Sequence, residues 1–205
     1  VREFSKEEMK SFLRYLQEKM TKKHMVLALA RMNPITAGHE KAVGKLKEIA
    51  AAKGADHTLL VSHSHDPKSN PLKPEDKMKH LTRAFPDTNI KMTSKDHGII
   101  QHLDHLHDSG YTHVTMVAGQ DRLDNYHTMI KRYNSGGKFK SLKVISAGKR
   151  NDNSTDSVEK ISASKMRDFA RKDDFDSFKT NLPSKLRDNE SHSKDIYNDV
   201  KKHLK

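Results

Sequence analysis

Threonine, glycine and histidine stand together at Thr36-Ala37-Gly38-His39, shortly after the apolar run Val26 to Ala30. The run has the length of a buried strand, and Asn33-Pro34 breaks it. From Gly38 onward Ala42, Val43, Leu46, Ile49 and Ala50 recur at three- and four-residue steps, the spacing of a helix. A strand that turns through glycine into a helix N-terminus makes an anion site. The first-turn N–H groups lack helical partners, and the helix dipole favours negative charge there. His39 in that first turn reaches the same anion, and Gly38 lets the backbone approach it, because a Cβ would intrude. A nucleoside triphosphate suits the arrangement. A second set follows far along the chain, Ile161-Ser162-Ala163-Ser164-Lys165-Met166-Arg167. Ser162, Ser164 and Arg167 make a unit: Ser162 at an N-cap, with Lys165 and Arg167 in the first turns, gathers hydroxyl, backbone and guanidinium donors that match a triphosphate tail or a leaving pyrophosphate. The plain alternatives are a surface histidine in a first turn, and simple helix capping by Ser162 beside a solvated arginine.

The elements that must position these groups alternate. Ser5 to Met20 reads as an amphipathic helix with Met9, Phe12, Leu13 and Leu16 on one face and a Ser5/Glu8 capping box. After the first strand comes a helix from Gly38 to about Lys53, stopped by Gly54. His57 to Ser64 reads as a second strand, and Pro74 starts a helix through Phe85. A third strand is expected at Asn89 to Thr93, a helix at Gly98 to Ser109 and a fourth strand at His113 to Ala118. A helix at Leu123 to Tyr133 and a fifth strand at Leu142 to Ala147 follow. Helices are then expected to about Arg171 and from Phe175 to Leu182, with a polar stretch after Pro183 that carries one weak helical pattern at Ile196, Val200 and Leu204. Such alternation predicts an α/β fold with a doubly wound, parallel, five-stranded, Rossmann-like sheet, an N-terminal helix and a helical C-terminal extension. Ligands of such sheets sit beyond the carboxyl ends of the strands. The expected organisation is a helical appendage at 1–22, the main domain at 23–183 and a polar, partly helical tail at 184–205.

Asn33-Pro34-Ile35-Thr36-Ala37-Gly38-His39 resembles the first signature of the nucleotidyltransferase superfamily, Thr/His-x-Gly-His after a first strand. Ile161 to Arg167 resembles its second, Ile-Ser-x-Thr/Ser-x-x-Arg, in the expected order and at family-like separation. The resemblance implies transfer of AMP or CMP from a nucleoside triphosphate to a phosphorylated small-molecule acceptor, with release of pyrophosphate. It implies triphosphate contacts from Thr36, His39 and Arg167, with Asn33, Gly38, Ser162 and Ser164 around the nucleotide. In several members a lysine after the second strand meets the α-phosphate; Lys68 holds that place, with Lys73 as competitor. Gly119-Gln120-Asp121-Arg122 resembles the family's Gly-x-Asp segment, so Gly119, Asp121 and Arg122 are expected to line the pocket. Arg122 has an alternative partner in Asp124. Residues 147–150 would border the base. The chain is closest in feel to phage-encoded members. It departs from many relatives in carrying Met32 where phenylalanine is usual, which removes a stacking contact.

Composition bounds the remaining choices. With 205 residues there is room for one α/β domain and an appendage. The absence of cysteine excludes thiolate zinc sites, disulfides and cysteine nucleophiles. The net charge of +12 is spread along the chain and interrupted by Asp and Glu, and aromatic residues are few, so no stacking platform for single strands is visible. Attraction of anionic substrates is the favoured account of this charge, with nucleic-acid binding second. Fourteen histidines raise the question of a metal. His63 with His65, and His102, His105 and His107 on one helix, lack the carboxylates that would complete a zinc geometry, so a solvated polar face is expected and no metal ligand is assigned. Magnesium is expected to arrive with the triphosphate, held by substrate oxygens and water. No apolar run approaches the ~20 residues of a membrane span and no signal-peptide pattern is present, so the expected location is the cytoplasm, the host's if phage-encoded. The chain begins at Val1, which fits a piece of a larger polypeptide. Two other classes compete. One is an inactive nucleic-acid-binding or virion scaffold protein that retains the fold. The other, a class I aminoacyl-tRNA synthetase fragment, fits Ile161 to Arg167 less well.

Overall fold

The computed structural model describes residues 5–21, 23–148 and 161–205, with their side chains except at 15–21 and 121. Five strands, β1 (His24–Ala30), β2 (Asp56–Val61), β3 (Ile90–Met92), β4 (His113–Ala118) and β5 (Ser141–Ser146), form one parallel sheet in the order β3-β2-β1-β4-β5. The order runs outward from β1 in both directions, so the switch point lies between β1 and β4, beyond their carboxyl ends. Both faces are covered, as a parallel sheet requires. On β1 the side chains alternate. Val26 joins a core with Leu59, Val61 and the helices of one face, while Met25 and Leu27 join Leu60, Val114 and Met116 on the other.

Each helix has a local reason for its bounds. The first, α1 (Lys6–Thr21), starts at the expected capping box: Glu8 N–H donates to Ser5 Oγ and Ser5 N–H to Glu8 Oε2. Its Met9, Phe12 and Leu13 are exposed. The second, α2 (Ala37–Lys53), is capped by Thr36 and ended by Gly54 in the left-handed conformation. Pro74 opens α3 (Pro74–Ala84). Next come α4 (Ile99–Asp108), α5 (Leu123–Tyr133), α6 (Ala163–Arg171) and α7 (Phe175–Thr180). No helix among the described residues is long and apolar enough to cross a membrane.

Two expectations needed correction, on the second strand and on His102. The second strand stops at Val61 rather than Ser64, because the serine hydroxyls pair at 2.5 Å and the Ser62 and Ser64 carbonyls turn to a buried lysine. The helical C-terminal extension is present, as α8 (Ser184–Arg187) and α9 (Glu190–His203). Leu186, Ile196 and Val200 from these helices are fully buried in the same core as α3 and α6. Finally, His102 is only 2% exposed, inside the core face of α4 with Leu103 and Leu106, and not on a solvated face. His105 and His107 are exposed, as expected.

Candidate functional site

Beyond the carboxyl ends of β1 and β4 lies a cavity of about 540 Å³. Arg31, Asn33 and His39 line it from β1 and the start of α2, Gly119 and Arg122 from the turn after β4, and Ser162, Ser164 and Arg167 from α6. Ser69 and Asn70 close it from the loop after β2. Two segments far apart in the chain therefore meet at one place. The arginines Arg31, Arg122 and Arg167 face this space, and no carboxylate lines it among the described side chains.

The N-termini of α2 and α6 border the cavity through His39 and Ser162. On α2 most first-turn donors are already used. Thr36 N–H donates to His39 Nδ1 at 3.0 Å, Ala37 N–H to the Asn181 carbonyl, and His39 N–H to Thr36 Oγ1. The Gly38 N–H has no partner among the described residues. Because Nδ1 accepts a main-chain proton, the neutral imidazole carries its own proton on Nε2, the nitrogen remote from Thr36. Thr36 is 1% exposed and works beneath the surface, as cap and as orienter of His39. On α6 Ser162 Oγ accepts from Lys165 N–H at 3.2 Å. The N–H groups of Ala163 and Ser164, both on the cavity wall, have no partner among the described residues. These donors and the helix dipole favour an anion.

Arg167 donates to the Asn33 carbonyl at 2.9 Å and to Ser164 Oγ at 3.0 Å. Burial first, then the neighbouring positive charge of Arg171, holds its pKa below the ordinary value. The guanidinium has more donors than these two bonds use, and a nearby anion would relieve it. Asn33, expected at the nucleotide, spends its side chain elsewhere. Its Nδ2 donates to the Leu72 carbonyl at 3.0 Å and its Oδ1 accepts Leu72 N–H at 2.8 Å, clamping the loop after β2 onto the loop after β1.

The loop after β2 is self-supporting. Asp66 accepts from the main chain of Lys68 and Ser69 and from the Asn70 side chain, bonds that lower its pKa, that to Asn70 most. This turn brings Ser69 and Asn70 to the cavity, while Lys68 is exposed and not among the lining residues. Lys73, the competitor, caps α3 and is also exposed. Gly119 and Arg122 line the cavity; the side chain of Asp121, and residues 149–150 of the segment expected at the base, lie outside the described residues. Sequence reasoning missed Arg31, Ser69 and Asn70. A basic residue directly after β1 was the available signal for the first; the other two depend on a turn that only the folded loop displays.

Among the described residues, one group of histidine and carboxylates is close enough to share an ion: His80, Asp195 and Asp199, between α3 and α9. Lys79 already pairs both carboxylates, at 3.2 and 2.8 Å, and Arg83 pairs Asp195, so the group is an ion-pair network that docks α9. It is not part of the cavity lining.

No family model matches the chain, and none of the curated proteins does. The fold is nonetheless shared. A structure titled Plasmodium falciparum nicotinic acid mononucleotide adenylyltransferase complexed with NaAD aligns with a TM-score of 0.56 at 14% identity, over 86% of this chain and 96% of that one. At this identity the likeness is one of fold, a five-stranded parallel α/β sheet with flanking helices.

Proposed function

We propose that this protein is a nucleotidyltransferase that moves AMP or CMP from a nucleoside triphosphate to a phosphorylated small-molecule acceptor. One observation carries the reading: both signature segments end at a single cavity with three arginines, a histidine and no described carboxylate. Such a lining suits a triphosphate and an anionic acceptor together. The fold, shared with an adenylyltransferase, agrees.

In the proposed reaction a phosphate oxygen of the acceptor attacks the α-phosphorus. The bond from that phosphorus to the bridging oxygen breaks, and pyrophosphate leaves with the electron pair. No covalent enzyme intermediate is needed, so the protein's work is positioning and charge stabilisation. His39, held by Thr36, would donate from Nε2 to a phosphoryl oxygen. Arg167 and the N–H groups of Ala163 and Ser164 would hold the tail that becomes pyrophosphate. Gly38 N–H gives a further donor, and Arg31, Arg122 and Gly119 face the remaining space for the acceptor. Asp121 keeps the pocket role that the resemblance implies. Lys68 would have to swing in from the rim to meet the α-phosphate. Magnesium would accompany the triphosphate, whose oxygens and water would hold it, since no carboxylate cage lines the cavity among the described side chains.

The test is pyrophosphate release from MgATP and MgCTP against a panel of phosphomonoester acceptors. Release that depends on one nucleotide and one acceptor, and is lost in Arg167→Ala, supports the reaction. Release from no pair, in folded protein, refutes it.

A further inference from the structure

Lys77 lies on the buried stripe of α3 with His80, Leu81 and Ala84, and is 0% exposed. No carboxylate pairs it among the described residues. Its ammonium donates instead to the main-chain carbonyls of Ser62, at 2.6 Å, and Ser64, at 3.3 Å. Burying an ammonium without a counter-ion is costly, and a leucine or methionine would fill the volume without that penalty. Burial lowers the lysine's pKa to about 8, so the cost is borne in the charged form at neutral pH.

What the charge obtains is control of the chain where β2 leaves the sheet. Ser62 N–H still pairs with the Ala30 carbonyl, but the carbonyls that follow have no strand partner among the described residues. The two held carbonyls bracket His63. Ser62 and His63 line a second cavity of about 290 Å³, which shares Leu29, Ala30, Arg31 and Arg122 with the main one. The same loop runs on through the Asp66 turn to Ser69 and Asn70, and Asn33 fixes its far end at Leu72. Lys77 and Asn33 thus hold the two ends of the loop that walls both cavities.

We propose that Lys77 is a positioning residue for nucleotide binding, its ammonium fixing residues 62–64 so that the loop after β2 presents one preformed wall. This rests on the cavity being the nucleotide site proposed above. The direct test compares the native chain with Lys77→Met and Lys77→Arg. It reads hydrogen exchange of the amides at 62–70 and calorimetric affinity for MgATP and MgCTP. In Lys77→Met those amides exchange about tenfold faster and the bound nucleotide weakens about tenfold, while Lys77→Arg, which keeps donors for both carbonyls, restores both. Should Lys77→Met fail to fold, Lys77→Gln, with a donor for one carbonyl, takes its place with the same expected direction. Loop exchange equal to native in the non-ionic variant overturns the proposal, as does faster exchange spread evenly over the whole protein. If the native chain binds neither nucleotide, the reading of the cavity fails separately, and the exchange comparison still decides what Lys77 does to the loop.

Discussion

Replacing Asn33 by alanine should cost more than any other single change in the loops around the cavity. The side chain is 1% exposed and Leu72, its partner, is 0% exposed, so neither end of the pair sees water. Both Leu72 main-chain groups depend on Asn33, through bonds of 2.8 and 3.0 Å. Truncation leaves a buried N–H and a buried C=O without partners, each costing ~1–3 kcal/mol, and one entering water would recover part of that. The expected net loss is about 3 kcal/mol, or roughly 6–12 °C in Tm for a domain of this size. Arg167 bonds the Asn33 main-chain carbonyl, so that link survives the substitution. Asn33→Asp keeps the acceptor for Leu72 N–H but sets a carboxylate oxygen against the Leu72 carbonyl, and should lose about as much. Urea unfolding followed by far-ultraviolet circular dichroism measures both. A loss under about 1 kcal/mol for Asn33→Ala would show that the clamp contributes little and would refute the reasoning.

Two buried ionisable groups each make stability rise with pH, in separate pH ranges, and a third prediction tests the C-terminal helices. His102 has its pKa lowered to about 4 from an ordinary 6.5, by burial first and then by Lys91, and its Nε2 has no hydrogen-bond partner among the described residues. The unfolded chain binds a proton that the folded one refuses, so stability falls as pH drops from 6.5 to 4, by about 3 kcal/mol; acid unfolding of His102→Leu should lack this component. Lys77, lowered to about 8 from 10.5, acts at the other end. Between those values only the unfolded state keeps the proton, so native stability should rise relative to Lys77→Met by about 1.4 kcal/mol per pH unit, and a flat difference would contradict the burial cost. Ile196→Ala removes a fully buried side chain of α9 and should cost about 3 kcal/mol in urea, whereas a dispensable tail would lose almost nothing.

The elements most legible in the sequence were those with signals at both ends. The fourth strand and the helix Leu123–Tyr133 fall at the expected residues, and α2 is framed by Thr36 and Gly54. The extension from Ser184 was harder, because α9 is mostly Lys, Asp, Ser and His, and only its partners show why Ile196, Tyr197 and Val200 are inside. His102 and Lys77 share a cause. Both lie on helix faces that bury leucines, at positions where a polar residue reads as solvent-facing. The two signature segments both line the cavity, but that Asn33 would spend its amide on the Leu72 main chain was not legible. A buried asparagine and a ligand-binding one look alike until the loop that Leu72 brings across is folded. Lys68 failed to reach the lining for a similar reason: the Asp66 turn decides which loop residue faces inward.

The central claim, a nucleotide site built by Thr36, His39, Ser162 and Arg167, is tested most directly by calorimetric titration of MgATP and MgCTP into the native chain and into His39→Ala. The account predicts saturable binding of at least one nucleotide by the native protein, weakened at least about tenfold when the histidine's donor is lost. Equal affinity in the two proteins, or no binding by the folded native chain, would contradict it.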